Sequence, residues 1–276
     1  MITLGIFHEL EIARFTPQGA YLMNEQGDEV LLPKKYLAPN AEEGQIVNVF
    51  VMKDSQNRRV AVTDTPKLCL DEYAYLEIVE VNPYGAFADW GLDKNLFIPY
   101  REQIGLIEIG ESHILQLKYD ESTDRLIGSM KTRKALIPCT EALEGQKVNF
   151  LCVDQHELGW LGIVNNCYSG IIYNNDCIIP MKTGLRIAAY VFLVRPDGKL
   201  DLRLAPDGYE KYDEATEKLW AHLQENKFLF LTDKSAPEEI NAIMGMSKKT
   251  FKQAVGKLYK DRKIMLFDDK IARIDG

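Results

Sequence analysis

Residues 75–100 read YLEIVEVNPYGAFADWGLDKNLFIPY and carry the pattern that decides the fold. Apolar residues alternate with glutamates as far as Val81, and the turn-forming sequence NPYG occupies positions 82–85. Two more short apolar runs follow at 86–90 and 96–99. Three short strands joined by tight turns predict an antiparallel meander, and the alternation should turn some of its aromatic rings outward.

The same pattern occurs earlier in the chain at a constant spacing of 66 residues. Residues 81–87 (VNPYGAF) align with residues 15–21 (FTPQGAY), and the register continues without a gap as far as Arg125, which aligns with Arg59. Two unrelated domains would rarely keep such a register, so the sequence predicts an internal duplication.

A third, weaker copy follows the first two. Its apolar runs occupy residues 148–153, 159–164, 170–173, 185–194 and 199–204. Each copy therefore shows five strands in about 60 residues, which is too little chain for a sandwich but fits a small five-stranded barrel of the OB type. Closing each barrel would also remove the exposed strand edges that isolated hairpins carry.

Helical periodicity replaces the alternation after a turn-rich joint at residues 206–208. Ser235 and Glu238 predict a capping box at the start of one helix, and Gly245 predicts its end. Ser247 predicts the cap of the next helix. A hairpin of two short apolar strands closes the pattern, and three helices followed by a hairpin predict a winged helix.

Particular residues of these segments resemble a known type of domain and a known family. The run Tyr84-Gly-Ala-Phe87, with Asp120 and Arg125 downstream, resembles the S1-type OB-fold RNA-binding domain. The order of the domains, together with residues 246–260 (MSKKTFKQAVGKLYK), resembles the conserved virulence factor B family of bacteria. The resemblance covers nearly the whole chain and implies an RNA-binding regulatory protein without enzymatic activity.

The expected architecture is a mainly β fold with an α-helical C-terminus. It consists of three tandem S1-like OB-fold barrels followed by a winged-helix domain. The expected domain limits are 1–66 for repeat one, 67–134 for repeat two, 135–206 for the divergent repeat three and 207–276 for the winged-helix domain.

The resemblance also implies which residues contact RNA. They are Tyr84, Phe87, Asp120 and Arg125 in repeat two, Tyr21 and Arg59 in repeat one, and Trp160 in repeat three. Pro99 stands where the S1 pattern has a histidine, and Gln18 replaces one aromatic residue of repeat one, so repeat two keeps the most features. The alternative is that the rings of repeat two belong to the barrel core.

Physical chemistry supports the same site without the family. Bases stack on exposed aromatic faces at roughly 1–3 kcal/mol per base, and stacking needs no net positive domain. A basic cluster beside repeat two, formed by Lys131, Arg133 and Lys134, can hold phosphates.

Charge is distributed unevenly along the chain. The net charge is −8, and the four expected domains carry −3, −4, −1 and 0 in chain order, so strong nonspecific phosphate binding is not expected from bulk charge. Residues 247–263, in contrast, carry a net charge of +6. Nucleic-acid contact is predicted there for Lys248, Lys249, Lys252 and Lys260. Base specificity should be poor, because Gln253 alone on this helix has a base-reading side chain, and a solvated lysine face is the alternative.

Several classes of protein are disfavoured. The chain has no P-loop, dinucleotide-binding or nucleophile-elbow motif, and its four histidines are scattered, so we expect no enzyme and no cofactor. Five cysteines without a C-x-x-C pair argue against a disulfide framework and a metal site, and they predict reduced thiols in a cytoplasmic protein. No apolar run reaches the ~18 residues that a membrane helix requires.

Three functions remain open at this point. The first is a regulator that binds single-stranded RNA on the barrels, with help from the winged helix. The second is a DNA-binding transcription regulator that acts through the winged helix, and the third is a protein-interaction scaffold. The sequence leaves the oligomeric state undetermined.

Overall fold

The computed structural model describes residues 1–177, 179–204 and 214–274, and the chain forms two compact units, Met1–Pro206 and Asp207–Gly276. Among these described residues, the first unit contains three five-stranded barrels, and the second contains three α-helices and a small sheet. The predicted fold class is confirmed. The predicted joint at 206–208 lies outside the described residues, and we propose the four predicted domain limits as the borders.

The strands follow one another in the same order in every barrel. Barrel 1 contains β1 (Phe7–Thr16), β2 (Gly19–Met23), β3 (Glu29–Pro33), β4 (Ile46–Lys53) and β5 (Arg59–Val62). Barrel 2 contains β6 (Tyr73–Asn82), β7 (Gly85–Ala88), β8 (Leu96–Pro99), β9 (Ser112–Asp120) and β10 (Arg125–Ser129). Barrel 3 contains β11 (Lys147–His156), β12 (Gly159–Val164), β13 (Tyr168–Tyr173), β14 (Arg186–Val194) and β15 (Leu200–Arg203). The first strand of each barrel pairs with both the second and the fourth.

A glycine begins the second strand of every barrel for a steric reason. A Cβ atom at Gly19, Gly85 or Gly159 would lie 2.0, 2.4 or 2.2 Å from a carbonyl oxygen of the facing third strand. No side chain fits at such a distance. The Gly-Ala sequence of the first two repeats therefore reflects a close approach of two backbones.

The barrels differ in how they close. In barrel 1 the parallel pairing of β3 with β5 closes the cylinder, and in barrel 3 the pairing of β13 with β15 does the same. In barrel 2, all of whose strands are described, the equivalent strands β8 and β10 lie side by side without a hydrogen-bonded ladder. The two strands are still close, since a Cβ added at Gly128 of β10 would lie 3.0 Å from Cγ1 of Ile98 in β8. We call this line between β8 and β10 the open seam.

Barrels 1 and 2 share a hydrophobic core. Phe50 of barrel 1 is fully buried, and its ring lies edge-on to Phe7 at 5.5 Å and to Trp90 of barrel 2 at 5.8 Å between centroids. At the edge of this contact, Nζ of Lys53 lies 2.5 Å from Oδ2 of Asp124. The Lys53 hydrogen bond, followed by one from Tyr119, lowers the pKa of Asp124.

Barrel 3 contacts barrel 2 through a second, smaller core. Tyr73 and Ile114 of barrel 2 are buried against Leu151 and Ile163 of barrel 3. The Arg186 guanidinium donates a hydrogen bond to the backbone carbonyl of Tyr73. Burial raises the pKa of Tyr73 to about 12. The three barrels therefore pack together within one unit.

The second unit has the predicted winged-helix order. It contains α1 (Glu214–Asn226), β16 (Phe228–Leu229), α2 (Pro237–Met244), α3 (Lys248–Lys260), β17 (Ile264–Leu266) and β18 (Ile271–Arg273). The sheet has the order β16-β18-β17, and its inner face packs with the helices around Phe251 and Leu258.

Two of the predicted helix ends in this unit are confirmed, and one predicted helix cap is wrong. Gly245 ends α2 in the left-handed conformation (φ 63°), and the Ser247 hydroxyl accepts the amide of Thr250 at 3.2 Å, as predicted. The predicted capping box is wrong by one residue. The cap is Ala236, whose amide donates to the Glu239 carboxylate at 3.3 Å, while Ser235 Oγ accepts the amide of Thr232.

Candidate nucleic-acid interface

A groove of about 470 Å³ lies on barrel 2 beside barrel 1. Four aromatic residues line it, namely Tyr84, Phe87, Trp90 and Phe97. Tyr84 is 78% exposed, Phe87 and Phe97 are half-buried, and Trp90 is buried. The Phe87 and Phe97 rings lie 5.2 Å apart with a tilt of 41°. The groove thus presents rings at several depths to a planar ligand.

The turn that carries Tyr84 is held in place by its own hydrogen bonds. The amide of Tyr84 donates to Oδ1 of Asn82 at 3.0 Å, and the hydroxyl of Tyr100 donates to the Asn82 carbonyl at 3.0 Å. Gly85 follows and presses against the carbonyl of Ile98. The local sequence therefore fixes the backbone from which Tyr84 projects into solvent.

Three cationic side chains line the same groove, namely Lys53, Lys94 and Arg125. Lys94 Nζ donates to the backbone carbonyls of Lys53 at 3.2 Å and Asp54 at 3.0 Å, and burial, followed by the nearby Arg125 charge, lowers the pKa of Lys94. Arg125 is exposed, and its Nε donates to Oδ1 of Asn57 at 3.3 Å. Arg125 can therefore meet a phosphate while barrel 1 holds it in place.

The groove lies at the open seam. Phe97 of β8 and Leu126 of β10 line it from opposite sides. Their equivalents in barrel 1, Leu31 and Val60, form the pair that closes that barrel. The groove thus occupies the place where barrel 2 lacks its closing ladder.

Among the predicted residues of repeat two, the structure brings Tyr84, Phe87 and Arg125 together in this groove. Asp120 is engaged elsewhere. Its carboxylate accepts hydrogen bonds from Thr123 Oγ1 at 2.6 Å and Ser122 Oγ at 2.8 Å, and these lower its pKa. It also pairs with Arg101 at 2.6 Å, so Asp120 shapes its own hairpin turn.

The predicted RNA contacts of repeat one, Tyr21 and Arg59, already interact with other residues of barrel 1. The Arg14 guanidinium lies 4.3 Å from the centroid of Tyr21 and is itself paired with Glu29. Arg59 donates to the backbone carbonyl of Ile2 at 3.3 Å. One face of the Tyr21 ring is therefore covered by a guanidinium.

The strand register shows that Trp160 is not the equivalent of the repeat-two aromatic. Leu161 occupies the place of Phe87, while Trp160 occupies the place of the buried Ala86. Trp160 is half-buried against the core of barrel 3. Trp160 therefore differs in strand position from Phe87, and its contact with RNA stays a prediction.

The basic cluster after β10 borders a second groove, of about 590 Å³, between barrels 2 and 3. Lys131, Arg133 and Lys134 line it together with Tyr75. Lys131 Nζ donates to the backbone carbonyl of Arg101, and an Arg133 nitrogen lies 3.9 Å from Oδ2 of Asp154. Arg133 keeps a largely exposed guanidinium that can bind a phosphate.

The four predicted lysines of α3 have different surroundings. Lys248 is half-buried, and its Nζ donates to the Ser235 carbonyl at 2.8 Å, so it holds the loop before α2. Lys252 Nζ lies 3.7 Å from Oδ2 of Asp233. Lys249 and Lys260 are exposed. The outward face of α3 thus carries Lys249, Lys252 and Lys260.

Sequence reasoning missed five groove residues that matter for the site, namely Lys53, Trp90, Lys94, Asn95 and Phe97. Lys94 and Trp90 lie in the stretch that decided the fold, so their signal was present between Phe87 and Phe97. Lys53 carries no such signal, because it comes from barrel 1 and reaches the groove only through the contact between barrels.

The described part of the chain lacks two classes of feature. No described helix is long and apolar enough to cross a membrane. Within residues 1–177, 179–204 and 214–274, no group of three or more histidine, cysteine or acidic residues is placed to hold a metal ion.

Comparison with known families defines the class of protein. A family model for the S1 domain matches residues 4–64, within barrel 1, and a model described as the CvfB-like winged helix domain matches residues 217–272. Barrel 1 thus matches an S1 domain, and the C-terminal unit matches a CvfB-like winged helix domain.

Individual proteins show the same similarity over nearly the whole chain. Conserved virulence factor B of Staphylococcus epidermidis is 23% identical over 280 residues, covering 97% of this chain and 94% of its own length. Bacillus subtilis YitL is 25% identical over 279 residues, covering 95% of this chain and 89% of YitL. A crystallised multidomain protein with nucleic acid binding domains from Streptococcus pneumoniae is 23% identical, with 98% of both chains aligned and a TM-score of 0.43. The predicted resemblance to the conserved virulence factor B family is confirmed.

Proposed function

We propose that this protein is a non-enzymatic regulator that binds single-stranded RNA in the groove of barrel 2. One observation carries the proposal, namely that Tyr84, Phe87 and Phe97 share a single groove with the exposed guanidinium of Arg125. Aromatic faces stack bases, and the guanidinium pairs with a phosphate beside them. An S1 domain match in the same chain supports the assignment.

The depth of the rings favours single strands over duplexes. A base can stack on a ring of the groove only if one of its faces is free, whereas inside a duplex both faces are covered by the neighbouring base pairs. Asn95 also lines the groove and offers amide donors and an acceptor that suit a ribose 2′-hydroxyl. We therefore expect the groove to prefer RNA over DNA.

The groove lining also favours binding over catalysis. Its described residues are aromatic, aliphatic, amide or cationic, and neither a histidine nor a carboxylate is among them. General acid–base catalysis by a carboxylate or an imidazole has no group to use among these residues.

A competition assay at one fixed salt concentration tests the proposal. We expect unlabelled single-stranded RNA to displace a labelled single-stranded RNA from the protein. The concentration required should be at least about tenfold lower than that of a duplex DNA of equal length, a difference of ~1.4 kcal/mol in binding free energy. Stronger competition by the duplex would instead support the transcription-regulator hypothesis. If the protein binds neither nucleic acid, the hypothesis of a protein-interaction scaffold is supported instead.

The lysines of α3 provide a second, independent test. Changing Lys249, Lys252 and Lys260 to glutamate should lower the slope of log affinity against log salt by about 0.7–0.9 for each phosphate that the variant no longer neutralises. Lys248 is left unchanged because it holds backbone carbonyls. The measurement is RNA affinity at several salt concentrations.

Lys147→Glu on the exposed surface of β11 is the control for a single charge reversal and should change the slope less than Lys249→Glu alone. Equal slopes for these two variants would make the exposed side of α3 a solvated lysine face.

A further inference from the structure

Barrel 1 meets barrel 2 beside the groove through the hairpin turn that follows β4, at residues 54–58. Lys53, at the end of β4, binds Asp124 in the equivalent turn of barrel 2, with 2.5 Å between Nζ and Oδ2. In the opposite direction, Nε of Arg125 donates to Oδ1 of Asn57 at 3.3 Å. Polar contacts thus cross between the two barrels both ways, and one of them holds a cation of the groove.

The barrel-1 turn is fixed from two sides. Within the turn, Oδ1 of Asp54 accepts the backbone amides of Gln56 and Arg58, each at 2.9 Å, and Oδ2 accepts Nη2 of Arg58 at 2.7 Å. From barrel 2, Nζ of Lys94 donates to the carbonyls of Lys53 at 3.2 Å and Asp54 at 3.0 Å. The turn therefore offers a firm support to whatever it holds.

Asn57 serves this turn with both its backbone and its side chain. Its φ is 63°, in the left-handed region that asparagine and glycine enter most readily. Its amide donates to the Asp54 carbonyl at 3.1 Å, while its side-chain oxygen accepts Nε of Arg125. Glycine can adopt the same backbone, so Asn57→Gly removes the contact with Arg125 and keeps the turn.

The contact with Asn57 leaves the outer edge of the Arg125 guanidinium available. A guanidinium carries five N–H donors in a rigid planar fork. Nε uses one of them on Asn57, and among the described residues no further hydrogen bond or ion pair engages this side chain. The two Nη groups therefore remain for the oxygens of a phosphate. In barrel 1 the equivalent Arg59 instead donates through Nη1 to the Ile2 carbonyl.

We propose that Asn57 of barrel 1 is a positioning residue for the groove of barrel 2. It fixes Arg125 so that the Nη edge of the guanidinium meets the phosphate beside a stacked base. This proposal rests on the proposed function, which supplies RNA as the ligand. An arginine that is already held loses less conformational freedom when it binds a phosphate. Barrel 1 thereby strengthens RNA binding without stacking a base on its own ring.

The same contact contributes little to joining the barrels. Phe50 and Trp90 already pack edge-on in the shared core, with their centroids 5.8 Å apart. Asn57 and Arg125 are both exposed, so water can replace either partner of their hydrogen bond at small cost. A loss of RNA affinity in Asn57→Gly would therefore report on Arg125 and not on the fold.

The test measures the affinity of the full-length protein for an oligouridine of about 20 nucleotides at several salt concentrations. Asn57→Gly should weaken binding by about 2- to 13-fold, the cost of ordering one long side chain, and should change the melting temperature little. Its slope of log affinity against log salt should equal that of the parent, because the guanidinium still meets the phosphate. Arg125→Gln should weaken binding and lower the slope by about 0.7.

Gln56→Ala is the matched control. It removes an exposed amide side chain from the same turn and leaves the backbone amide that Asp54 accepts. This variant should bind the oligouridine as the parent does. A loss equal to that of Asn57→Gly would assign the effect to the turn as a whole and overturn the positioning role.

The double variant Asn57→Gly/Arg125→Gln decides whether Asn57 acts through Arg125. We expect it to bind as Arg125→Gln alone does, because Asn57 then has no guanidinium to hold. Affinities are measured well below the melting temperature of every variant, so a small loss of stability does not enter the comparison. If the two losses multiply in the double variant, or if Asn57→Gly alone binds as the parent does, the proposal is wrong.

Two further outcomes separate this proposal from the function on which it rests. Weakened binding in Phe87→Ala and Arg125→Gln, together with parent affinity in Asn57→Gly, would overturn the positioning role and leave the groove as the RNA site. Parent affinity in Phe87→Ala and Arg125→Gln would remove the groove as the RNA site, and the positioning role with it.

Discussion

Replacing Phe50 by alanine is expected to lower the free energy of unfolding by about 3–5 kcal/mol, the usual cost of removing a buried phenylalanine. The ring is fully buried and contacts both Phe7 of its own barrel and Trp90 of the next. The loss of stability should therefore affect both barrel 1 and barrel 2. Chemical denaturation gives the free energy, and hydrogen exchange of the backbone amides shows where protection is reduced.

Barrel 3 offers the control for this effect. Phe150 is equally buried, and its neighbours belong to barrel 3. Phe150→Ala should reduce amide protection mainly in β11 to β13, whereas Phe50→Ala should reduce it in β7 as well as in β4. Protection in β7 that stays at the parent level in Phe50→Ala would show that barrels 1 and 2 do not share one cooperative core.

Phe87→Ala is expected to weaken the binding of single-stranded RNA by about 1–3 kcal/mol, the cost of one lost base stack. Its effect on stability should be smaller than that of Phe50→Ala, because Phe87 is half-buried in the wall of the groove and the core of barrel 2 lies behind it. RNA affinity and thermal unfolding of the same variant separate the two effects.

Tyr21→Ala is the internal control, because Tyr21 occupies the same strand position in barrel 1. Its ring is covered on one side by Arg14 and has no aromatic partner at Gln18. Tyr21→Ala should therefore cost less RNA affinity than Phe87→Ala does. A Phe87→Ala protein that melts early but binds RNA normally once folded would contradict the stacking role of the groove.

Much of the fold was predictable because local chemistry repeats. The spacing of 66 residues holds from the start of β1 at Phe7 and of β6 at Tyr73 to the start of β5 at Arg59 and of β10 at Arg125. Gly245 and Ser247 act through their own backbone and side chain, so their roles could be assigned without tertiary information.

The sequence-based assignment of residues is least exact where a shift of one position changes a side chain's role. In a strand, a shift by one position turns a side chain to the other face. Trp160 and Leu161 differ by such a shift, and it is Leu161 that holds the strand position of Phe87. Ser235 and Ala236 differ in the same way at the start of α2, where the carboxylate of Glu239 completes a cap that an alanine cannot provide by itself.

Contacts between domains were beyond the reach of the sequence. The position of Lys53 in the groove depends on barrel 1 lying against barrel 2.

The open seam gives barrel 2 a mechanical property that its neighbours lack. In barrels 1 and 3, backbone hydrogen bonds fix the girth of the cylinder, because widening it would break the closing ladder. In barrel 2, Phe97 and Leu126 can move apart by sliding side chains past one another, and no ladder between the described strands β8 and β10 has to break. We therefore expect this wall of barrel 2 to widen more readily than the closed walls of barrels 1 and 3, so that a groove that binds RNA as proposed would adjust to purines and pyrimidines of different width.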